Sequence, residues 1–125
     1  MQIIGIGTDI VNIDRINSVF QKYGDNFLKK NFHEQEILNF NKLPEDKKIG
    51  YLAKRFAAKE AVAKAFGFGI GSALAFRDVA ILNDGSGRPY VDIKKTKIPD
   101  FDKYNFQISM SDDDPFAVAF VIISR

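Results

Sequence analysis

Two segments carry side chains that could do chemistry, one around Asp9 and one from Arg55 to Lys64. In Gly5-Ile6-Gly7-Thr8-Asp9-Ile10 a carboxylate ends an otherwise apolar strand, where burial is costly unless a cation or a donor satisfies it. Asp9 therefore either ligates a metal or caps the turn that follows. The second segment runs from Arg55 to Lys64. At about 100° per residue, Arg55 and Lys59 share one side of a helix, while Glu60 and Lys64 share another with Phe56 and Ala63. These cations either hold phosphate or belong to a solvated helix face. Glu60 four residues before Lys64 is also the favoured intrahelical ion pair. Between the charges, Ala57, Ala58, Ala61, Ala63 and Ala65 leave a small-residue surface that a second backbone or a ligand can approach.

The rest of the sequence narrows the chemistry by exclusion. There is no cysteine, and His33 is the only histidine. Thiolate metal sites and cysteine nucleophiles are excluded, and a Ser-His-Asp triad or a histidine-rich zinc site would rest on one residue. Carboxylates are the metal ligands left, and oxygen ligands suit magnesium. A dinucleotide fingerprint would need glycine where Ile10 stands. The glycine-spaced run from Gly67 to Ser72 follows a helix instead of preceding one, so no helix N-terminus faces an anion there. It reads as a helix stop and a flexible turn, to which Lys59 and Lys64 could bring phosphate. Asp112-Asp113-Asp114 lacks the later Gly and Glu of a calcium loop. His33, in a polar helical stretch, reads as a surface residue.

Elements must position these groups. Ile3 to Val11, β-branched and glycine-interrupted, is predicted to be an opening strand. Asn12 caps a helix with an apolar stripe of Ile13, Ile16, Val19, Phe20 and Tyr23, stopped by Gly24. Phe27 to Leu43 suggests short helices with turns between them. Pro44 to Phe66 reads as one long helix with Pro44 as its first residue and Gly67 as its end. Val79 to Leu82 and Pro89 to Ile93 flank Asn83-Asp84-Gly85-Ser86-Gly87 as a hairpin. Phe106, Ile108 and Met110 alternate with polar residues, Asp112 to Pro115 turns the chain, and Phe116 to Ile123 is an apolar strand. Helices and strands are segregated, which gives an α+β fold: one mainly antiparallel sheet packed with one long and several short helices.

With 125 residues, 46% hydrophobic and 27% charged, the chain is expected to form a single domain spanning 1–125. The net charge of +2 is too mild for a dedicated nucleic-acid binder, and no dense basic stripe interleaved with aromatics is present. No segment approaches the ~20 apolar residues of a membrane span, and the N-terminus lacks a basic region followed by an apolar one. The expectation is a cytoplasmic protein with no membrane and no nucleic-acid partner.

Together the two segments resemble the paired signatures of the 4′-phosphopantetheinyl transferase family, in the short, single-domain group that serves acyl carrier proteins. The first signature, a glycine and then an aspartate before an aliphatic residue, is matched by Gly7-Thr8-Asp9-Ile10-Val11. The second, aromatic-small-x-Lys-Glu-Ala-x-x-Lys, is matched by Phe56 through Lys64. Phe32 with Glu36, the turn from Asp84 to Pro89 and the last strand also fall where the family has counterparts.

The resemblance implies a transferase that moves 4′-phosphopantetheine from coenzyme A to a serine of an apo acyl carrier protein in support of fatty acid biosynthesis, releasing adenosine 3′,5′-bisphosphate. It implies that Asp9 and Glu60 hold Mg²⁺ and that Lys64, joined by Lys59 and Arg55, holds phosphate oxygens. Asp9, Glu60 and Lys64 would then be the catalytic set. Gly67 and its loop, with Arg88 and Pro89, would line the nucleotide site, and members of this length are homotrimers with that site between subunits. Since the carriers of this family present an acidic helix, the cations Arg15, Lys22, Lys29 and Lys30 are the expected docking surface. Many relatives carry Ser-His or Thr-His where this chain has Ser111-Asp112, so no histidine role carries over. Asp112 could accept a proton, bond a metal-bound water or simply begin the turn; the turn is the preferred reading, and no general base is assigned. Two other classes compete with the transferase: a small anion- or nucleic-acid-binding module, and a structural subunit, which would have no need of Asp9 and Glu60 as carboxylates.

Overall fold

A 22-residue helix laid against a glycine-bearing strand organises the computed structural model, which describes residues 1–67 and 74–125. The strand is β1 (Ile3–Asn12) and the helix is α4 (Glu45–Phe66). They run antiparallel at very short range. A Cβ added to Gly5 would stand 1.9 Å from the Ala65 carbonyl oxygen, and one added to Gly7 would stand 1.9 Å from that of Ala61. Glycine is thus required at both positions by close backbone approach.

Ala57, Ala58 and Ala61 are fully buried, so most of the alanine surface anticipated for a ligand or a neighbouring subunit is consumed inside the chain. Because α4 lies against β1, the helix presses into the sheet where larger residues would hold it off.

The sheet under α4 has the order β1-β5-β4, antiparallel throughout, with β4 at Asn105–Asp113 and β5 at Phe116–Ser124. Its covered face contributes Val11, Ala117, Ala119, Val121 and Ile123, all buried. The opposite face, by the period-2 rule, carries Ile6, Ile10, Phe116, Val118 and Phe120, and these are exposed. The second sheet is the expected hairpin, β2 (Val79–Asn83) and β3 (Pro89–Ile93).

Three shorter helices complete the fold. In α1 (Ile13–Tyr23), the Asn12 side chain accepts from the Arg15 amide at 3.2 Å, and Gly24, at φ 54°, returns its N–H to the Phe20 carbonyl. The stretch Phe27 to Leu43 resolves into α2 (Asp25–Asn31) and α3 (Glu34–Asn41). Phe27 of α2 meets Phe32 edge-on and stacks on Phe56 of α4, which in turn meets Phe76 edge-on in the 3-10 turn at Phe76–Asp78.

The observed elements agree with the α+β reading, with three local differences. Pro44 is the residue before the helix, with extended ψ, and the helix begins at Glu45. Tyr23, the last residue of α1, is exposed, whereas Phe20 in the same turn packs edge-on against Phe40. Asp112 does not begin the turn: it lies in β4, paired with Ala117, because β4 and β5 stay hydrogen-bonded out to Asp113 and Phe116. Alternation with Met110 points Asp112 toward α4, where its carboxylate meets Lys54 at 3.4 Å.

Candidate active site

Asp9 reaches the site because β1 alternates. Gly5, Gly7, Asp9 and Val11 share the face that α4 covers, and with glycine at the first two positions the helix comes close enough for its charged flank to meet the carboxylate. The Lys64 ammonium donates to Asp9 Oδ1 at 2.8 Å and to the Thr8 carbonyl at 3.2 Å. These two residues are 55 positions apart in the chain. Glu60, one turn back on α4, is half-buried beside them. Its carboxyl is raised above the ordinary glutamate range, chiefly by burial and then by the charge of Asp9, with Lys64 opposing. Lys64 is raised above the ordinary lysine value by its hydrogen bond to Asp9 and by that group's charge.

With both acids ionised, two carboxylates face one ammonium, an excess of one negative charge. That donor set suits a divalent cation. Among the described residues no group of three or more histidine, aspartate or glutamate side chains gathers at one place. A cation held by Asp9 and Glu60 would complete its shell with water and phosphate oxygens, as Mg²⁺ prefers.

The other cations expected at a phosphate behave differently. Lys59 is wholly buried, and its ammonium donates to Glu36 Oε1 at 2.6 Å, to the Phe76 carbonyl at 3.0 Å and to the Val79 carbonyl. All three of its protons are thus committed inside the chain, and the phosphate role expected of it is corrected. Burial lowers its pKa while Glu36 opposes the shift. Arg55 is 5% exposed, lies 3.8 Å from the Tyr51 ring centroid and donates to Asn83 Oδ1 at 2.6 Å. It too is turned away from solvent phosphate.

Arg88 and Pro89 sit on the β2–β3 hairpin; Arg88 is exposed and donates to Gln107 at 3.1 Å. Among the described residues, no hydrogen bond or ion pair joins either of them to Asp9, Glu60 or Lys64. Gly67 ends α4 in the left-handed region at φ 84°, and the rest of its loop, 68–73, lies outside the described residues.

Two participants escaped sequence reasoning. Glu36 is fully buried: it accepts from Lys59, from the His33 amide at 2.9 Å and from the Ile81 amide at 3.1 Å. The spacing from Phe32 to Glu36, which the family resemblance marks, was the one signal for it. His33 closes the N-terminus of α3, its Nδ1 accepting from the Gln35 amide at 3.1 Å, so its ring nitrogen is used structurally.

Close glycine contacts thus bring together a strand carboxylate, a helix carboxylate and a helix lysine from distant parts of the chain. Residues 5–121 match the sequence profile of the 4′-phosphopantetheinyl transferase superfamily. A holo-[acyl-carrier-protein] synthase of Ehrlichia ruminantium is 41% identical over 124 residues, covering 98% of each chain. The crystal structure of a holo-[acyl-carrier-protein] synthase from Neisseria meningitidis superposes with a TM-score of 0.86 at 37% identity, covering 99% of this chain and 100% of that one. That of Bacillus anthracis, described in complex with CoA (3′,5′-ADP), gives 0.84 at 32% identity, covering 98% and 97%. The chain belongs to the 4′-phosphopantetheinyl transferase superfamily, and within it to the holo-[acyl-carrier-protein] synthase enzymes.

Proposed function

We propose that this chain transfers 4′-phosphopantetheine from coenzyme A to a serine hydroxyl of an apo acyl carrier protein, releases adenosine 3′,5′-bisphosphate, and does so with Mg²⁺ held by Asp9 and Glu60 in support of fatty acid biosynthesis in the cytoplasm. The observation that carries the reading is the 2.8 Å contact of Lys64 with Asp9, which joins the two signature segments beside Glu60. When bound, Mg²⁺ neutralises charge on the pyrophosphate and on the departing bisphosphate. Lys64 supplies a half-exposed ammonium that exchanges Asp9 for a phosphate oxygen as substrate arrives. Asp9 and Glu60 would orient the reacting phosphate only through the cation they hold, since bare carboxylates repel it, and the glycine contacts of β1 with α4 hold the two carboxylates in register.

A homotrimer is part of the proposal. The uncovered face of the sheet presents Ile6, Ile10, Phe116, Val118 and Phe120, a contiguous apolar patch of the sort that marks a protein interface. Arg88, Pro89 and Gly67 with its loop would line the nucleotide site; Arg88 and Pro89, which no hydrogen bond or ion pair among the described residues joins to Asp9, would complete a neighbour's site. No helix among the described residues is long and apolar enough to cross a membrane. The carrier would dock on α1 and α2, where Val19, Tyr23, Phe27, Lys30 and Phe56 line a groove of about 380 Å³ and Arg15, Lys22 and Lys29 are exposed.

Incubation with coenzyme A, Mg²⁺ and an apo carrier protein, read by mass spectrometry of the carrier, tests the reaction. A phosphopantetheine adduct is expected, and its absence with every carrier tried would return the chain to the class of anion-binding modules. Arg15→Glu is expected to raise the KM for carrier severalfold and to weaken its salt dependence, leaving the KM for coenzyme A unchanged.

A further inference from the structure

The proposed chemistry makes no use of Arg55, although a buried guanidinium is costly to keep. Among the described residues its Nε has no hydrogen-bond partner, and burial lowers its pKa. An apolar side chain of similar volume would fill the same space, and such replacements of buried charges are often neutral or stabilising. What an apolar side chain lacks is a directed donor, and the Arg55 donor is aimed at Asn83 Oδ1.

Asn83 ends β2, immediately before the turn from Asp84 to Arg88. The turn builds its own internal shape. Asp84 Oδ1 accepts from the Ser86 amide at 2.9 Å, from the Ser86 hydroxyl at 2.7 Å and from the Arg88 amide at 3.0 Å. Gly87, at φ 88°, returns its amide to the Asp84 carbonyl. None of these bonds sets how the turn is aimed relative to α4. The Asn83 amide does that from both of its ends: Oδ1 accepts from Arg55 on α4, and Nδ2 donates to the Gly87 carbonyl at 2.9 Å, inside the turn. Arg55 is in turn fixed on the Tyr51 ring, and the Tyr51 hydroxyl donates to the Glu36 carbonyl at 3.0 Å. The other side-chain tie of the turn among the described residues, Arg88 to Gln107, is an exposed contact that a bound phosphate would displace.

We infer that Arg55 and Asn83 form a positioning pair that aims the Asp84–Arg88 turn from the body of the protein and so presents Arg88 to the nucleotide end of coenzyme A. The inference rests on the assignment of Arg88 to the nucleotide site made above. Asn83 and Arg55 touch neither substrate nor reacting atoms. They restrict the orientations of the loop before substrate arrives, which lowers the ordering cost of binding and leaves the transferring phosphate alone. Their removal should therefore fall on coenzyme A affinity and spare turnover.

Asn83→Asp separates the two functions of the amide, because a carboxylate still accepts from Arg55 but no longer donates to Gly87. The dissociation constant for coenzyme A by calorimetry and its KM are expected to rise about tenfold, the span of one or two lost hydrogen bonds. The kcat at saturating coenzyme A should stay within about twofold. The unfolding midpoint should hold or rise, and the Gly87 and Arg88 amides should exchange faster with solvent. Arg55→Met, which keeps the buried volume, should reproduce the affinity loss. Arg88→Ala is the reference. If it weakens coenzyme A binding while Asn83→Asp and Arg55→Met do not, the positioning role is overturned and the Arg88 assignment stands. If Arg88→Ala itself leaves the affinity unchanged, the assignment falls and the inference falls with it. A fall in kcat together with a lowered midpoint in both variants would overturn it in favour of a general loss of structure.

Discussion

Two of the lysine-carboxylate pairs on helix α4 stand five residues apart, and they differ in almost everything except chemistry. Lys64 meets Asp9 at 2.8 Å with its side chain 54% exposed, whereas Lys59 meets Glu36 at 2.6 Å with neither side chain exposed at all. Five residues of helix turn the two lysines to different sides. One side lies along the open edge of β1, and the other is sealed by α3 and the β2–β3 hairpin. Lys59 is saturated by a carboxylate and two carbonyls, so its geometry is rigid and its charge unavailable. Among the described residues Lys64 has two acceptors for its three protons, and beside it lies a Glu60 carboxyl that is itself poorly solvated. An ion pair becomes a site when it is left partly unsatisfied, and a joint when it is completed.

The comparison is broken most forcefully at the sealed pair. Lys59→Ala or Glu36→Ala leaves a buried charge without its partner and is expected to cost about 3–5 kcal/mol of stability. The double variant Glu36→Gln with Lys59→Met should recover a large part of that loss in chemical denaturation. At the open pair, stability and activity should separate. Asp9→Ala and Glu60→Ala are each expected to lower turnover on the order of 10²- to 10³-fold, the scale of one lost electrostatic contact at a developing charge. Circular dichroism should show the fold kept, and near-normal turnover of Glu60→Ala at limiting Mg²⁺ would remove the metal assignment. Lys64→Ala should change stability by less than about 1 kcal/mol, since the pair is largely solvated. A loss as large as that for Lys59→Ala would erase the distinction drawn between the two pairs.

The smallest effect concerns pH. Glu60 has a folded-state pKa above its unfolded one, so folding takes up a proton and the associated stability is present at low pH. It is lost as pH rises through the raised value. In metal-free protein, Glu60→Gln should therefore gain stability over the native chain above the ordinary carboxylate range, and the gain should vanish below it. Thermal melts across pH in a chelating buffer measure this. A gain that persists below the carboxylate range would show that it does not come from the charge.

Much of this molecule was legible from local rules, because those rules act within a few residues. Asn12 and Gly24 bound α1, Gly67 ends α4, and the run Asn83 to Gly87 separates two strands, each through its own side chain or backbone freedom. The Phe106, Ile108, Met110 alternation likewise announced β4, though it could not say that pairing continues to Asp113, which depends on the partner strand.

By itself, the sequence determined the elements, the α+β class and the two segments that bear Asp9, Glu60 and Lys64. Their motif is local, and helical phase separates Glu60 and Lys64 from Arg55 and Lys59 without any tertiary information. Tertiary structure alone decided which of those two sides is solvent and which is core. A helical phase is defined only relative to what packs against it, and the elements that bury Lys59 and Arg55 lie at Glu36, Val79 and Asn83, 20 to 28 residues away in the chain. The same holds for the alanines. Their small size allowed close approach by anything, and the glycines of β1 chose the sheet.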